Sequence, residues 1–281
     1  MTADSRASLD EIRDFHAKMM AGASNSSDER LEQAFRLVRR EAFMGPGPWQ
    51  IRAGRRYLET PNADPTFLYQ NVLVALDKSK GINNGEPFLH AAFLGAVAPQ
   101  PGETVIHIGT GTGYYTAILS TLVTPGGHVH AVEIDEALAE RTRNNLISFA
   151  NVSVTCADAT KLELPEADLI YVNAGVVAPP TSWLQALRPG GRIIMPWQAN
   201  EKVGLAVVIT RREQGFSARA LMQAYFIPCI GASDPMQSAK IPNGGEARSI
   251  QSVWLTQERA PDETAVAIYR DLWFSNAGLG V

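Results

Sequence analysis

Three signals meet at one point in this chain and constrain its fold more than anything else in it. The apolar run Val105-Ile106-His107-Ile108 has the composition of a buried strand. Gly109-Thr110-Gly111-Thr112-Gly113 follows without a break, and a helical pattern then runs through Ala117, Leu119 and Leu122. A glycine turn between strand and helix lets backbone pass beneath a ligand without interference from Cβ atoms, and the helix start adds free N–H groups and a favourable dipole. The dinucleotide fingerprint G-x-G-x-x-G needs its third glycine for close helix packing, and here Tyr114 stands at that place. The turn closes instead as G-x-G-x-G, the spacing typical of methyltransferases, which bind an adenosine carrying a methionine chain and no pyrophosphate.

Two acidic residues follow in the order that such a ligand requires. The run Ala131-Val132-Glu133-Ile134-Asp135 places a carboxylate about 20 residues past the turn, where a ribose diol would lie. Glu133 can accept both hydroxyl protons there. The alternative role, a charge at a helix start, suits Asp135 or Glu136 better, because they precede the helical run 138–146. In Cys156-Ala157-Asp158-Ala159-Thr160, Asp158 can accept the adenine amino proton while the next backbone N–H serves a ring nitrogen. A turn-capping Asp is the equal alternative. Residues 169–172 then deliver Asn173 and Ala174 to the crevice where open α/β sheets bind ligands. The expected cofactor is S-adenosyl-L-methionine. The residues expected around it are His107, Ile108, Gly109, Thr110, Gly111, Gly113, Glu133, Ile134, Asp158, Ala159 and Asn173, with a hydrogen-bonded core histidine as the plain alternative for His107.

Around this nucleus the chain reads as an α/β protein. Strand candidates at residues 104–108, 128–133, 152–156, 169–172, 192–195 and 205–210 alternate with helical stretches, the grammar of a doubly wound, mostly parallel, Rossmann-like sheet. Leu9, Ile12, Phe15 and Met19 recur at helical spacing, and Ser27-Asp28 offers an N-cap for a second helix through Leu31, Phe35 and Val38. Residues 44–65, rich in Gly and Pro, predict an irregular connection. Residues 230–247 read as a punctuated linker, 249–255 as a strand, 262–271 as a helix and 272–281 as a fraying end. This divides the 281 residues into an N-terminal helical and substrate-side segment (1–80), a cofactor-binding core (81–231) and a small C-terminal extension (232–281).

Hydrophobic residues at 45% and charged residues at 19% suit an ordinary globular protein. A formal net charge of −4 supplies no basic field for a phosphate backbone, so a nucleic-acid partner is not expected. Residues 1–15 lack the apolar core of a signal peptide and no later run is long enough to span a bilayer, which predicts a cytoplasmic protein without a membrane partner. Cys156 and Cys229 lie far apart without a metal-ligand pattern, so neither a disulfide framework nor a metal site is expected.

Over residues 28–231 the chain resembles the protein-L-isoaspartate (D-aspartate) O-methyltransferase family. Val38-Arg39-Arg40-Glu41-Ala42-Phe43 is similar to its V-P-R-E-x-F segment, Asn84-Gly85-Glu86-Pro87-Phe88-Leu89-His90-Ala91 to its substrate-loop segment I-S-x-P-x-x-x-A, and Gln214-Gly215-Phe216 through Tyr225-Phe226-Ile227-Pro228 to its closing hairpin. The resemblance implies a class I methyltransferase that places its acceptor beside Asn84, Gly85, Glu86 and His90, with the His90 position helping to hold the cofactor's methionine carboxylate. The chain departs from the family pattern in three places, the third being the C-terminal extension from Ala232. Gly85 stands where the family has a serine whose hydroxyl holds the acceptor carboxylate. His107 stands where the family has an acid for the cofactor's amino group. A carboxylate acceptor is ionised at neutral pH and needs no base, whereas an amine or phenol acceptor would call on Glu86 or His90. The expected acceptor is an isoaspartyl peptide or protein. The alternatives are a small molecule or another peptide, and, from a different class, a non-catalytic cofactor-binding scaffold. The added C-terminus suggests a cover over the site, a partner surface or a homodimer contact.

Overall fold

The structure, a computed structural model, describes residues 7–234 and 238–280. Residues 1–6, 235–237 and 281 lie outside the described residues, so the polar N-terminal reading, the linker and the expected fraying end are each covered only in part. The chain opens with α1 (Leu9–Ala23), α2 (Glu29–Leu37) and α3 (Glu41–Met44). Ser8 and Glu11 form a capping box at the first helix, and Asp28 caps the second by accepting from Arg30 N–H, as the Ser27-Asp28 pattern predicts. Met20, Leu31 and Phe35 are buried where these helices meet the core.

Residues 44–65 are less irregular than expected. They contain the hairpin β1 (Gln50–Ala53) and β2 (Arg56–Glu59), paired from Gln50↔Glu59 to Ala53↔Arg56, with Gly54 supplying the positive φ of the turn. A short hairpin of this polarity carries little hydrophobic alternation, so its glycine content is the stronger local signal. After a 3-10 turn at Pro65–Leu68 come β3 (Ala75–Asp77) and β4 (Ile82–Asn83), which pair with each other.

The core follows: α4 (Pro87–Val97), β5 (Thr104–Ile108), α5 (Tyr114–Val123), β6 (His128–Glu133), α6 (Glu136–Asn145), β7 (Val152–Cys156), β8 (Ala167–Val172), α7 (Thr181–Ala186), β9 (Leu187–Asn200), β10 (Val203–Arg211) and β11 (Phe216–Gln223). All six expected core strands are present, and β9 runs well beyond residues 192–195. Asp135 caps α6 by accepting from Leu138 N–H, the helix-start role expected for it. The tail then adds β12 (Ser238–Lys240), α8 (Gly244–Arg248), β13 (Ser252–Leu255), β14 (Ala265–Tyr269) and β15 (Leu272–Ser275).

Two expectations about this tail are corrected. Where a helix is expected over residues 262–271 the chain forms the strand Ala265–Tyr269, and residues 272–275 are a buried strand in place of a frayed end. Ala265-Val266-Ala267-Ile268-Tyr269 is short and apolar, a pattern that suits a helix or a strand equally. Pairing decides it, because β14 is bonded to β12 on one side and β15 on the other.

One eleven-stranded sheet results, ordered β12-β14-β15-β13-β11-β10-β9-β8-β5-β6-β7. It is parallel where β5, β6, β7, β8 and β9 pair and antiparallel from β9 outward. β5 lies between β6 and β8, so the chain reverses its direction of winding at β5, and such switch points open a crevice at the strands' carboxyl ends. Alternation along β5 sends Ile106 and Ile108 to one face and Val105 and His107 to the other. The helical face packs α1, α2, α4 and α5, while the opposite face buries Trp183, Trp197 and the apolar side chains of β13 to β15.

Candidate active site

A cavity of about 810 Å³ lies at that switch point. Its floor is the turn after β5. Gly109 has φ +76°, and a Cβ there would come within 3.4 Å of the Asn173 carbonyl; Gly111 has φ +60°, with Leu76 closing over it. Both positions take the left-handed backbone conformation that favours glycine. Of the expected cofactor residues, Ile108, Gly109, Thr110, Gly111, Glu133, Ile134, Asp158, Ala159 and Asn173 line this cavity.

Gly113 and His107 do not. Gly113 is the N-cap of α5, with φ +90°, and a Cβ would press to 2.9 Å from Leu146 Cδ1, so it serves the packing of α5 against the end of α6. Tyr114, which fills the place of a third fingerprint glycine, is fully buried against Phe43, with the Arg40 guanidinium over its ring. His107 is fully buried behind the wall, its Nδ1 2.8 Å from Thr116 Oγ1 and its Nε2 2.8 Å from Asn173 Nδ2.

Glu133 ends β6 with its carboxylate over the turn. Oε2 accepts from Gly111 N–H at 2.8 Å, and Oε1 accepts from Ile134 N–H at 2.9 Å and Asp135 N–H at 3.1 Å. Three of its roughly four lone-pair directions are thus taken, which leaves one open where two were expected. Burial raises its pKa, and the three N–H donors only partly offset that. Asp158 lines the cavity and is also a turn cap: Oδ1 accepts from the Thr160 N–H and hydroxyl, and Oδ2 pairs with Lys161 at 3.0 Å. Lys80 pairs with Asp135 at the rim.

The opposite end is built from the segment leading into α4. Asn84, Gly85, Glu86 and His90 all line the cavity there. Asn84 is nearly buried and its Oδ1 accepts from Arg40 Nε at 3.3 Å, so its side chain ties the loop to the N-terminal segment. Gly85 has φ +77°, and a Cβ would fall 2.3 Å from His90 Nε2. The imidazole therefore occupies the space that a larger residue at 85 would need. His90 stacks on Tyr115 at 3.6 Å between ring centroids, and its Nδ1 lies 3.0 Å from Tyr171 Oη. Burial holds its pKa well below the ordinary value, with His107 and Arg40 adding to the effect, so the ring is neutral. Glu86 Oε1 accepts from Asn71 Nδ2 at 2.8 Å.

Several residues of the wall carry no signal of their own in the sequence. Tyr115 was hidden in a helical pattern, and Arg52 and Leu76 sit on short strands with no motif of their own. Tyr225, Phe226, Ile227 and Pro228 belong to the segment noted as a closing hairpin, and they form the apolar rim.

The chain is similar to known proteins of one family. The family model described as protein-L-isoaspartate(D-aspartate) O-methyltransferase matches residues 56–234. A protein-L-isoaspartate O-methyltransferase of Pelotomaculum thermopropionicum is 29% identical over 225 residues, covering 76% of this chain and 95% of that protein. One from Rhodopseudomonas palustris is 31% identical over 227 residues, covering 79% and 93%. Among solved structures, a protein-L-isoaspartate O-methyltransferase aligns with TM-score 0.69 at 19% identity, over 93% of this chain and 86% of that one. A Plasmodium falciparum relative, solved in complex with S-adenosyl-L-homocysteine, aligns with TM-score 0.61 at 16% identity, over 77% and 97%. At those identities the structural likeness is one of fold. The glycine turn, the Glu133 carboxylate above it and a family match over well over half the chain converge: this is an S-adenosylmethionine-dependent methyltransferase and belongs to the protein-L-isoaspartate (D-aspartate) O-methyltransferase family.

Proposed function

We propose that the chain methylates a peptide-borne carboxylate, that of an isoaspartyl residue, at the Gly85 end of the cavity. The contact between Gly85 and His90 carries this reading. Where the resemblance expects a serine hydroxyl, the neutral imidazole of His90 presents its Nε2 edge instead. In the tautomer whose Nδ1 accepts from the Tyr171 hydroxyl, Nε2 carries the hydrogen and can donate it to an acceptor carboxylate. A neutral donor suits this task, since it orients the carboxylate without lowering its nucleophilicity as a full positive charge would.

The glycine turn, Glu133, Ile134 and Asp158 would hold the cofactor, and the orphaned Asn173 Oδ1 beside Gly109 fits a ligand that brings its own donor. When bound, the cofactor supplies a methyl group on a sulfonium, already activated for displacement. The remaining work is to align the acceptor and exclude water. His90, Tyr115 and Phe226 form an aromatic wall for that purpose, and an ionised carboxylate requires no base. Glu86 favours a second reading, because a carboxylate on the acceptor side attracts a cationic or amine acceptor and repels a carboxylate one.

Incubation with radiolabelled cofactor and an isoaspartyl peptide separates the two. Label that is transferred to the peptide and released by mild alkali marks a carboxyl ester and supports the first reading. Alkali-stable label on an amine acceptor, with none on the isoaspartyl peptide, supports the second.

A further inference from the structure

His107 stands two residues before Gly109, where the resemblance expects a carboxylate, and it is fully buried on the face of β5 that meets α5. Desolvation pushes its pKa down to about 3, so the ring is neutral and offers one N–H and one lone pair. The amide Nδ2 of Asn173 can only donate, and it lies 2.8 Å from Nε2. Nε2 is therefore the lone pair, and the ring proton sits on Nδ1, directed at Thr116 Oγ1. This orientation turns the other amide atom, Asn173 Oδ1, away from His107. Oδ1 is buried and has no donor among the described residues. A carbonyl oxygen left so is costly unless a ligand satisfies it.

Asn173 lines the cavity and packs against Gly109, where a Cβ would lie 3.6 Å from the Asn173 Cβ. Glu133 contacts the turn at Gly111, the end at which a ribose would lie. Asn173 thus meets the turn at its opposite end, where a bound cofactor would place its methionine chain, whose one hydrogen-bond donor is its ammonium group. We infer that His107 is a positioning residue that locks the Asn173 amide, so that Oδ1 receives the cofactor's ammonium in place of the missing carboxylate. The inference rests on the cofactor site described above.

Isothermal titration of the full chain with S-adenosylhomocysteine and with its deamino analogue tests it. Asn173→Ala and His107→Phe should each weaken S-adenosylhomocysteine binding roughly ten- to hundredfold. Each should change binding of the deamino analogue by less than about twofold, and that retained affinity also shows the variants to be folded. Equal losses on both ligands, or no loss on either, overturn the inference. Failure of the unmodified chain to bind S-adenosylhomocysteine overturns the cofactor site itself, and the inference with it. Nitrogen-15 spectra of the unmodified chain give a second readout: His107 protonated on Nδ1 is the expected result. A proton on Nε2 overturns the inference, because Asn173 would then turn its carbonyl to His107 and its N–H groups to the cavity.

Discussion

Glu133 is held in a balance that should be visible in titration. Its pKa is raised above the ordinary 4.5 by burial, so the folded chain binds this proton more tightly than the unfolded chain does. The sign follows from linkage: this group penalises the fold at neutral pH, and the penalty lifts as pH falls through the raised value. Cofactor binding runs the other way, since protonation removes the acceptor that a ribose hydroxyl needs. Affinity for S-adenosylhomocysteine should therefore begin to fall at a pH above 4.5, without loss of stability from this residue. Glu133→Gln should bind roughly tenfold more weakly at neutral pH and show a flatter pH profile, measured by titration calorimetry alongside thermal melts. Gly85 carries a second residue-scale prediction. Gly85→Ser restores the residue expected from the family, yet it should lower activity, because its Cβ would overlap the His90 ring and sit at positive φ. The strain should cost about 1–3 kcal/mol of stability in denaturant unfolding. A fully active Gly85→Ser would show that His90 moves aside and that the imidazole does not replace the hydroxyl.

Among the elements, the segment between the 3-10 turn and α4 depends on one side chain from far upstream. Arg40 is fully buried, and no carboxylate pairs with it among the described residues. Its guanidinium donates to the carbonyls of Leu68 at 2.6 Å, Gln70 at 3.2 Å and Val72 at 2.8 Å, and to Asn84 Oδ1 at 3.3 Å. The planar fork holds residues 68–72 in shape, ties them to Asn84 and so sets where Gly85 and Glu86 stand. Arg40→Lys keeps the charge but not the fork. It should cost about 2–4 kcal/mol of stability, raise the acceptor KM several-fold and leave cofactor affinity within about twofold, with faster amide exchange confined to residues 68–86. Arg40 also shows where sequence reading stops. The cofactor turn was legible because strand, glycines and helix are contiguous, so local rules suffice. Arg40 was visible only as part of a family motif, since its four acceptors are 28 to 44 residues away. His107 was legible as a departure but not in its effect, because its partner Asn173 is 66 residues distant. β14 is a further case, since its short apolar run suits either helix or strand until β12 and β15 pair with it.

At the scale of the whole molecule, the tail is continuous with the core. β13 pairs with β11 through Phe216↔Val253 and Ser217↔Ser252, and β15 and β14 continue outward in the same sheet. Their side chains enter the core face: Phe274 stacks on Trp197 at 4.4 Å, and Trp197 Nε1 donates to Tyr269 Oη and to the Val177 carbonyl, both at 3.0 Å. Trp197 in turn sits on the strand beside the crevice's closing segment, with Val176 bridged to it. Ending the chain after Gly231 would bare the β11 edge and remove Val253, Leu255, Val266, Leu272 and Phe274 from the buried cluster. Each such side chain contributes about 1.5–3 kcal/mol when fully buried, so the sum lost is comparable with the whole stability of a typical domain, about 5–15 kcal/mol. An unpaired, apolar sheet edge also invites aggregation. The full chain should therefore unfold in one calorimetric transition, with van't Hoff and calorimetric enthalpies in agreement, and the truncated chain should be aggregated or unfolded. Two separate transitions, or a folded truncated chain that binds S-adenosylhomocysteine normally, would show that the tail is an independent appendage and that the cofactor site stands without it.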